Sequence, residues 1–400
     1  MKPETIPQAN DRAAARRSLA TPHSGAMRRS LATRHYAAAL RQADPRRPLV
    51  STTGRHRLMP AFLAFLISIS SLLILGACDA SKKRIAPDKP PRIGFSLDSL
   101  VVERWKRDID IFEKSVHEMG AEFILEVADQ DAAKQDKQVR SLADRGIDVL
   151  VIVPNDADKL SQAVKYAKSK KIPVLSYDRL VRKAGVDLYV SFDNEKVGSL
   201  MAESLARAVP KGNYVIINGA KTDNNAIMLN AGMHKILDPL VESGDISIIG
   251  ETWPETWDSE EARKGLEAAI AGNRSINAVI AGNDMLAEAA INVLAENKLL
   301  AGAKVVGQDA ELSACQRIAE GVQYATIYKP IERLALKAAG FAVMLARGEK
   351  IPTDATIDDG SSKVPYVRLE PILVTKNLLD ETVIKDGFHS KESVYRNLKR

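Results

Sequence analysis

The chain has 400 residues, 45% apolar, 27% charged and 5% aromatic, which gives length for two ordinary domains and excludes disorder throughout. Two cysteines, Cys78 and Cys315, exclude a disulfide framework or a zinc cluster. The formal charge of +6 is unevenly spread: residues 1–77 carry +9 and leave −3 on the rest, the wrong sign for a nucleic-acid footprint.

Residues 1–57 are rich in Arg, Ser, Ala and Pro, with no sustained apolar period. Arginines pair at Arg16-Arg17, Arg28-Arg29 and Arg46-Arg47. Two readings stand: a misassigned start codon with Met27 or Met59 as rival starts, or a twin-arginine export signal whose pairs lie far from the apolar run. That run, 61–77, has no charge and follows Arg55 and Arg57. A basic flank, an apolar run and small residues at its end predict a secretory signal peptide. The run is shorter than the roughly 20 residues of a spanning helix. It closes on Leu75-Gly76-Ala77-Cys78, which resembles the bacterial lipoprotein cleavage box. The resemblance implies cleavage before Cys78 and acylation of that residue, each buried CH₂ anchoring by about 0.8 kcal/mol. Asp79 resembles an inner-membrane retention signal, and residues 78–91 read as a polar linker.

From Arg92 onward, short β-branched runs alternate with amphipathic stretches. Strands are expected over 93–97, 122–127, 149–153, 174–177, 188–192, 214–217, 246–249, 278–281, 304–306 and 325–327. Helices are expected over 105–119, 134–145, 159–168, 197–209, 226–241, 260–271, 286–296 and 332–346, with a further helical stretch around Cys315. In the first, Ile109, Phe112 and Val116 recur at three- and four-residue spacing. This alternation predicts an α/β protein with parallel sheets covered on both faces, and the number of strands suits two sheets better than one.

Ligands of open α/β sheets gather beyond the carboxyl ends of the strands. Asp98 and Glu103-Arg104-Trp105 follow the first strand, and Pro154-Asn155-Asp156 the third. Asp178-Arg179, Asp193-Asn194, Asp223-Asn224-Asn225, Trp253 with Trp257, Asn283-Asp284, Gln308-Asp309 and Lys329 follow later ones. Each Asp or Asn alone is equally well a helix N-cap. Caps do not call for Arg104, Trp105, Arg179, Trp257 or Lys329. Such a ring suits a sugar: carboxylates accept from hydroxyls, Arg and Lys donate, Asn does both, and indoles face the apolar C–H surface.

Signals for catalysis are weak. His23, His35 and His56 lie in the leader, His117 and His234 in helical patterns, and His389 near the carboxyl terminus. No Gly-x-Ser-x-Gly, P-loop or metal-spaced set appears. Asn218-Gly219 reads as a turn, and Cys315 as a small buried apolar residue. No enzyme, cofactor or metal is expected.

At this point residues 92 to about 389, about three quarters of the chain, resemble the periplasmic sugar-binding proteins of ABC importers, pentose/hexose type. The D-xylose-binding subgroup is the nearest. The carrying stretches are Glu103-Arg104-Trp105, Val149-Leu150-Val151-Ile152, Tyr177-Asp178-Arg179, the run 191–198, Asp223-Asn224-Asn225-Ala226, Gly307-Gln308-Asp309-Ala310, Tyr328-Lys329-Pro330 and the tail 382–389.

The resemblance implies two Rossmann-like lobes joined by three crossings, near Asp193, Lys329 and Gly360. The first lobe is then 92–192 plus 329–360 and the second 193–328 plus 361–400, after a leader over 1–77 and the linker. It implies a sugar held by Arg104, Trp105, Asp178 and Arg179 from the first lobe and Asn224, Asn225, Trp257, Asn283 and Asp309 from the second, with Lys329 at a crossing. Trp105 and Trp257 would be the stacking pair. Asn230 departs from the pattern, which has a basic residue near there.

The implied partners are a monosaccharide, D-xylose foremost, an ABC permease with its ATPase subunit, and a membrane reached through lipid on Cys78. A monomer without nucleic-acid partners is expected outside the cytoplasm. Two alternatives remain: a binding protein for ribose, glucose or arabinose serving transport or chemoreception, and a cytoplasmic repressor with the same core. The repressor reading needs a helix-turn-helix ahead of the core, where an export signal lies instead.

Overall fold

β-Branched runs separated by capped amphipathic stretches set the order of elements. A computed structural model describes residues 89–398 apart from Glu103 and Asp354. The leader, the cleavage box with Cys78, Asp79 and the linker to residue 88 lie outside the described residues. Strands β1 (Arg92–Leu97), β2 (Glu122–Val127), β3 (Val149–Val153), β4 (Val174–Tyr177) and β5 (Leu188–Phe192) come with helices α1 (Arg104–Glu118), α2 (Ala132–Asp144) and α3 (Ser161–Ser169). A second set follows: α4 (Asn194–Ala208), β6 (Gly212–Ile217), α5 (Asn224–Glu242), β7 (Ile246–Thr252), α6 (Ser259–Gly272), β8 (Ala278–Ala281), α7 (Asp284–Glu296), β9 (Lys304–Val306), α8 (Leu312–Glu320) and β10 (Ala325–Tyr328). Then come α9 (Ile331–Ala346), β11 (Ala355–Asp358), β12 (Lys363–Leu369), β13 (Ile372–Thr375) and a single turn, α10 (Lys391–Val394).

One sheet has the order β11-β12-β5-β4-β3-β1-β2 and the other β13-β10-β9-β8-β6-β7. All pairings are parallel except β11 with β12 and β10 with β13. The ten strands read from sequence are present, with ends differing by a few residues. Strands β3, β4 and β5 are buried along their whole length, as parallel strands under two helical layers should be. On one face of the first sheet, Ile109, Phe112 and Val116 of α1 share a core with the small-residue stripe Ala335, Ala338, Ala339 and Ala342 of α9. Phe112 meets Phe95 edge-on at 5.0 Å, and burial of each ring contributes about 1.5–3 kcal/mol. In the second lobe α4 and α5 cover one face, and α6 and α7 the other.

The third crossing differs from expectation. Gly360, at φ 88°, is the turn of the β11–β12 hairpin and not a passage between lobes. The Asp359 carboxylate accepts from the backbone N–H groups of Ala184, Gly185, Ser361 and Ser362, at 3.0, 2.7, 2.8 and 2.7 Å. Burial alone would raise this carboxyl, but those donors win and hold it at about 2. The hairpin is thereby fastened to the first lobe, and Tyr366 pairs with Tyr189 of β5. The chain passes to the second sheet only at Glu370-Pro371, so residues 361–369 belong to the first lobe.

Candidate functional site

The carboxyl ends of β1 and β4 in one sheet, and of β6, β7, β8, β9 and β10 in the other, deliver loops to one cavity. The lobes are closed tightly on it: the gaps between its lining atoms, space open to solvent included, come to about 340 Å³. Of the ten residues predicted, Arg104, Trp105, Asp178, Arg179, Asn225, Trp257, Asn283, Asp309 and Lys329 line it. Asn224 does not. Its amide donates to Met228 Sδ at 3.3 Å along α5. Three further residues line the cavity: Val102, and Asp223 and Gln308, which stand in the strand-end series beside predicted ones but are not among the ten.

The charged groups interlock. Arg104 donates through Nε and Nη2 to Asp108 at 3.1 and 3.2 Å, and its Nη2 lies 2.9 Å from Asp178 Oδ2. Its Nη1 is 3.9 Å from Asp309 Oδ1, on the opposite lobe, and Lys329 Nζ reaches that same oxygen at 2.6 Å. Arg179 spans the lobes: Nη1 donates to Asp98 at 2.8 Å, and Nε pairs with Asp223 at 2.8 Å. Every one of these side chains is more than nine-tenths buried.

Burial and neighbours compete at each carboxylate. Burial pushes Asp178 up, but Arg104, Lys329 and Arg179 outweigh it, so its carboxyl sits below the ordinary value and is a charged acceptor at neutral pH. Burial dominates at Asp108 and Asp223, which sit above the ordinary value despite Arg104 and Arg179. Burial works against both guanidinium charges, yet facing carboxylates raise both groups further.

Two acceptors sit on strained backbone. Asp178 has φ 60° and Asp309 φ 93°, the left-handed region that side-chain-bearing residues rarely occupy. The Asp178 carbonyl is pinned by Tyr189 Oη at 2.9 Å, Ser191 Oγ at 2.6 Å and, across the cleft, Asn225 Nδ2 at 3.1 Å. Asp309 is followed by Ala310 at φ 53°, whose N–H donates to Thr326 Oγ1 at 3.2 Å.

The two tryptophans differ. Trp105 is buried, with the guanidinium carbons of Arg104 and Arg179 at 4.6 and 5.5 Å from its ring centre. Its Nε1 has no protein acceptor, nor has Gln308 Oε1 a donor. A hydroxyl, both donor and acceptor, matches either need. Trp257 is half-buried, and its Nε1 donates to Asp223 Oδ2 at 3.2 Å. Its ring edge lies over Gly219, where an added Cβ would stand 2.2 Å from Cη2. Gly219 therefore makes room for the indole and is not the turn that its sequence suggested. Asn283 caps α7 by accepting from Leu286 N–H at 2.9 Å, so the cap reading holds there while the residue also lines the cavity.

Two α/β lobes closing on a buried polar cavity, walled by two indoles and served by charged donors and acceptors, define a two-lobed solute-binding protein. The chain belongs to the periplasmic binding protein domain family, whose pattern matches residues 93–350. It is 43% identical over 327 residues to the D-xylose-binding periplasmic protein of Haemophilus influenzae, covering 82% of this chain and 98% of that protein. It is 43% identical over 329 residues to the protein of the same name from Escherichia coli, covering 82% and 98%. Among solved structures, a carbohydrate transporter solute-binding protein from Chloroflexus aurantiacus in complex with D-glucose matches with a TM-score of 0.72. The identity is 26%, over 76% of this chain and 98% of that one. These relatives are binding proteins, not enzymes.

Proposed function

We propose that this chain captures D-xylose between its lobes and delivers it to an ABC sugar importer from outside the cytoplasm. The observation that carries this reading is the identity to two D-xylose-binding proteins over nearly their whole length, together with a cavity whose groups suit a small polyol. Asp178 and Asp309 accept from sugar hydroxyls, Arg104, Lys329 and Trp105 Nε1 donate to them, and Trp257 offers a face to the C–H groups. Binding shifts the balance between open and closed lobes, and the closed form docks on the permease subunits whose ATPase partner drives uptake. Lipid on Cys78 tethers the protein, as a monomer, to the membrane.

The test is calorimetry and thermal shift on residues 79–400 with xylose, glucose, ribose, arabinose and galactose. A ligand selective for the folded state raises the melting temperature by mass action. A large shift with xylose alone is expected. Glucose has the same ring hydroxyls plus a hydroxymethyl group, so its exclusion must be steric. A larger shift with another sugar overturns the xylose assignment in favour of transport or chemoreception of that sugar.

A further inference from the structure

The carboxyl-terminal segment belongs to the second lobe, where Leu379, Val383 and Val394 pack against Cys315, Ile318 and Tyr328. It reaches the first lobe's α1 and the loop after β9 at Phe388-His389. Arg107, one turn after Arg104 on α1 of the first lobe, donates through Nη1 to the Phe388 carbonyl at 2.7 Å. Its guanidinium carbon also lies 4.6 Å from the Phe388 ring centre. The next residue, His389, donates from Nε2 to the Ala310 carbonyl at 2.8 Å. Ala310 follows Asp309, and both have positive φ. Phe388 and His389 also bound a small space shared with Arg104 and Asp309. The Phe388 ring is flanked by Arg107, by Tyr328 at 4.9 Å and by His389 at 4.5 Å, so it is a packed joint and not a free platform for a second sugar.

We propose that Phe388 and His389 form a clasp across the cleft that positions both halves of the ligand site. It joins α1, which carries Arg104 and Trp105, to the strained loop carrying Asp309. None of the clasp residues touches the cavity that holds the candidate ligand groups, so they act through Arg107 and Ala310. This inference rests on ligand capture between the lobes. The clasp forms only when the lobes meet, an arrangement the ligand-free protein also visits, so it slows ligand escape more than ligand entry and draws the ligand-free average toward closure.

The test uses Arg107→Met, Phe388→Leu, Phe388→Tyr and His389→Gln in stopped-flow fluorescence with D-xylose, with solution X-ray scattering on the ligand-free proteins. Arg107→Met and Phe388→Leu should raise koff about tenfold with kon changed less than about twofold, as expected where a charge-assisted contact is made only in the closed state. Phe388→Tyr and His389→Gln keep the ring and the donor and should match the wild type. The two disruptive variants should also show a larger radius of gyration than the wild type. Equal koff and equal radius across all variants overturn the clasp. A wild type that binds no xylose overturns the ligand instead, and the radius alone then decides the clasp: no increase refutes it.

Discussion

Gly219→Ala tests the site without removing any group proposed to touch the sugar. The new methyl would stand 2.2, 2.4 and 2.6 Å from Trp257 Cη2, Cζ2 and Cζ3, closer than carbon atoms approach. Gly219 does not have positive φ, so alanine brings no backbone penalty there. The indole must therefore move by roughly 1 Å or more, which its 3.2 Å bond to Asp223 resists. Overpacking of this kind costs about 1–3 kcal/mol. If that cost falls on the closed, bound form, affinity drops by about 5- to 150-fold, since about 1.4 kcal/mol is a factor of ten. The assay is titration calorimetry with D-xylose beside Gly302→Ala, where an added methyl meets nothing within 4 Å. A Gly219→Ala protein that binds within twofold of the wild type would refute the placement of Trp257 as a wall of the site.

Asp309→Ala should weaken xylose binding at least tenfold and lower the melting temperature, because it strands the buried Lys329 ammonium; losing one partner of such a pair costs about 3–5 kcal/mol. Unchanged calorimetric affinity would remove Asp309 from the site. Burial lifts Asp284 from 3.8 to about 7, against hydrogen bonds from Thr326 and Gln323 that pull it down. The folded state then holds a proton that the unfolded chain releases, so this group's contribution is full below pH 3.8 and is lost as pH rises through about 7. The melting temperature of the wild type should fall relative to that of Asp284→Asn from pH 4 to about 7 and then level off; a relative rise over this window contradicts the assignment. Cys78→Ser should release the protein from membranes, and a variant that still sediments with them would disprove the acyl tether.

Most of the fold was legible because strands buried on both faces must be runs such as Val149–Val153, which little else in a sequence mimics. The β11–β12 hairpin was missed for the opposite reason. It lies at a sheet edge, alternates exposed and buried residues, and contains Pro365. The alternation of Val364 and Tyr366 was its one available signal. At the site, charged and aromatic residues at strand ends were informative because no cap requires them. Consecutive polar residues were not. In Asp223-Asn224-Asn225 the cap belongs to Asp223, Asn225 turns inward to Asp178, and Asn224, a helical step of about 100° away, faces elsewhere. Only the orientation of α5 decides among the three.

The late crossing at Glu370-Pro371 has a kinetic side. The first sheet cannot be finished until β12 pairs with β5, a contact such as Tyr366 with Tyr189 that closes a loop containing most of the second lobe. The second sheet waits likewise for β13. Neither half can reach its native pairing while the last tenth of the polypeptide is still unmade. Contacts between residues so far apart in sequence are slow to form, so completion of both sheets is tied to the carboxyl-terminal strands.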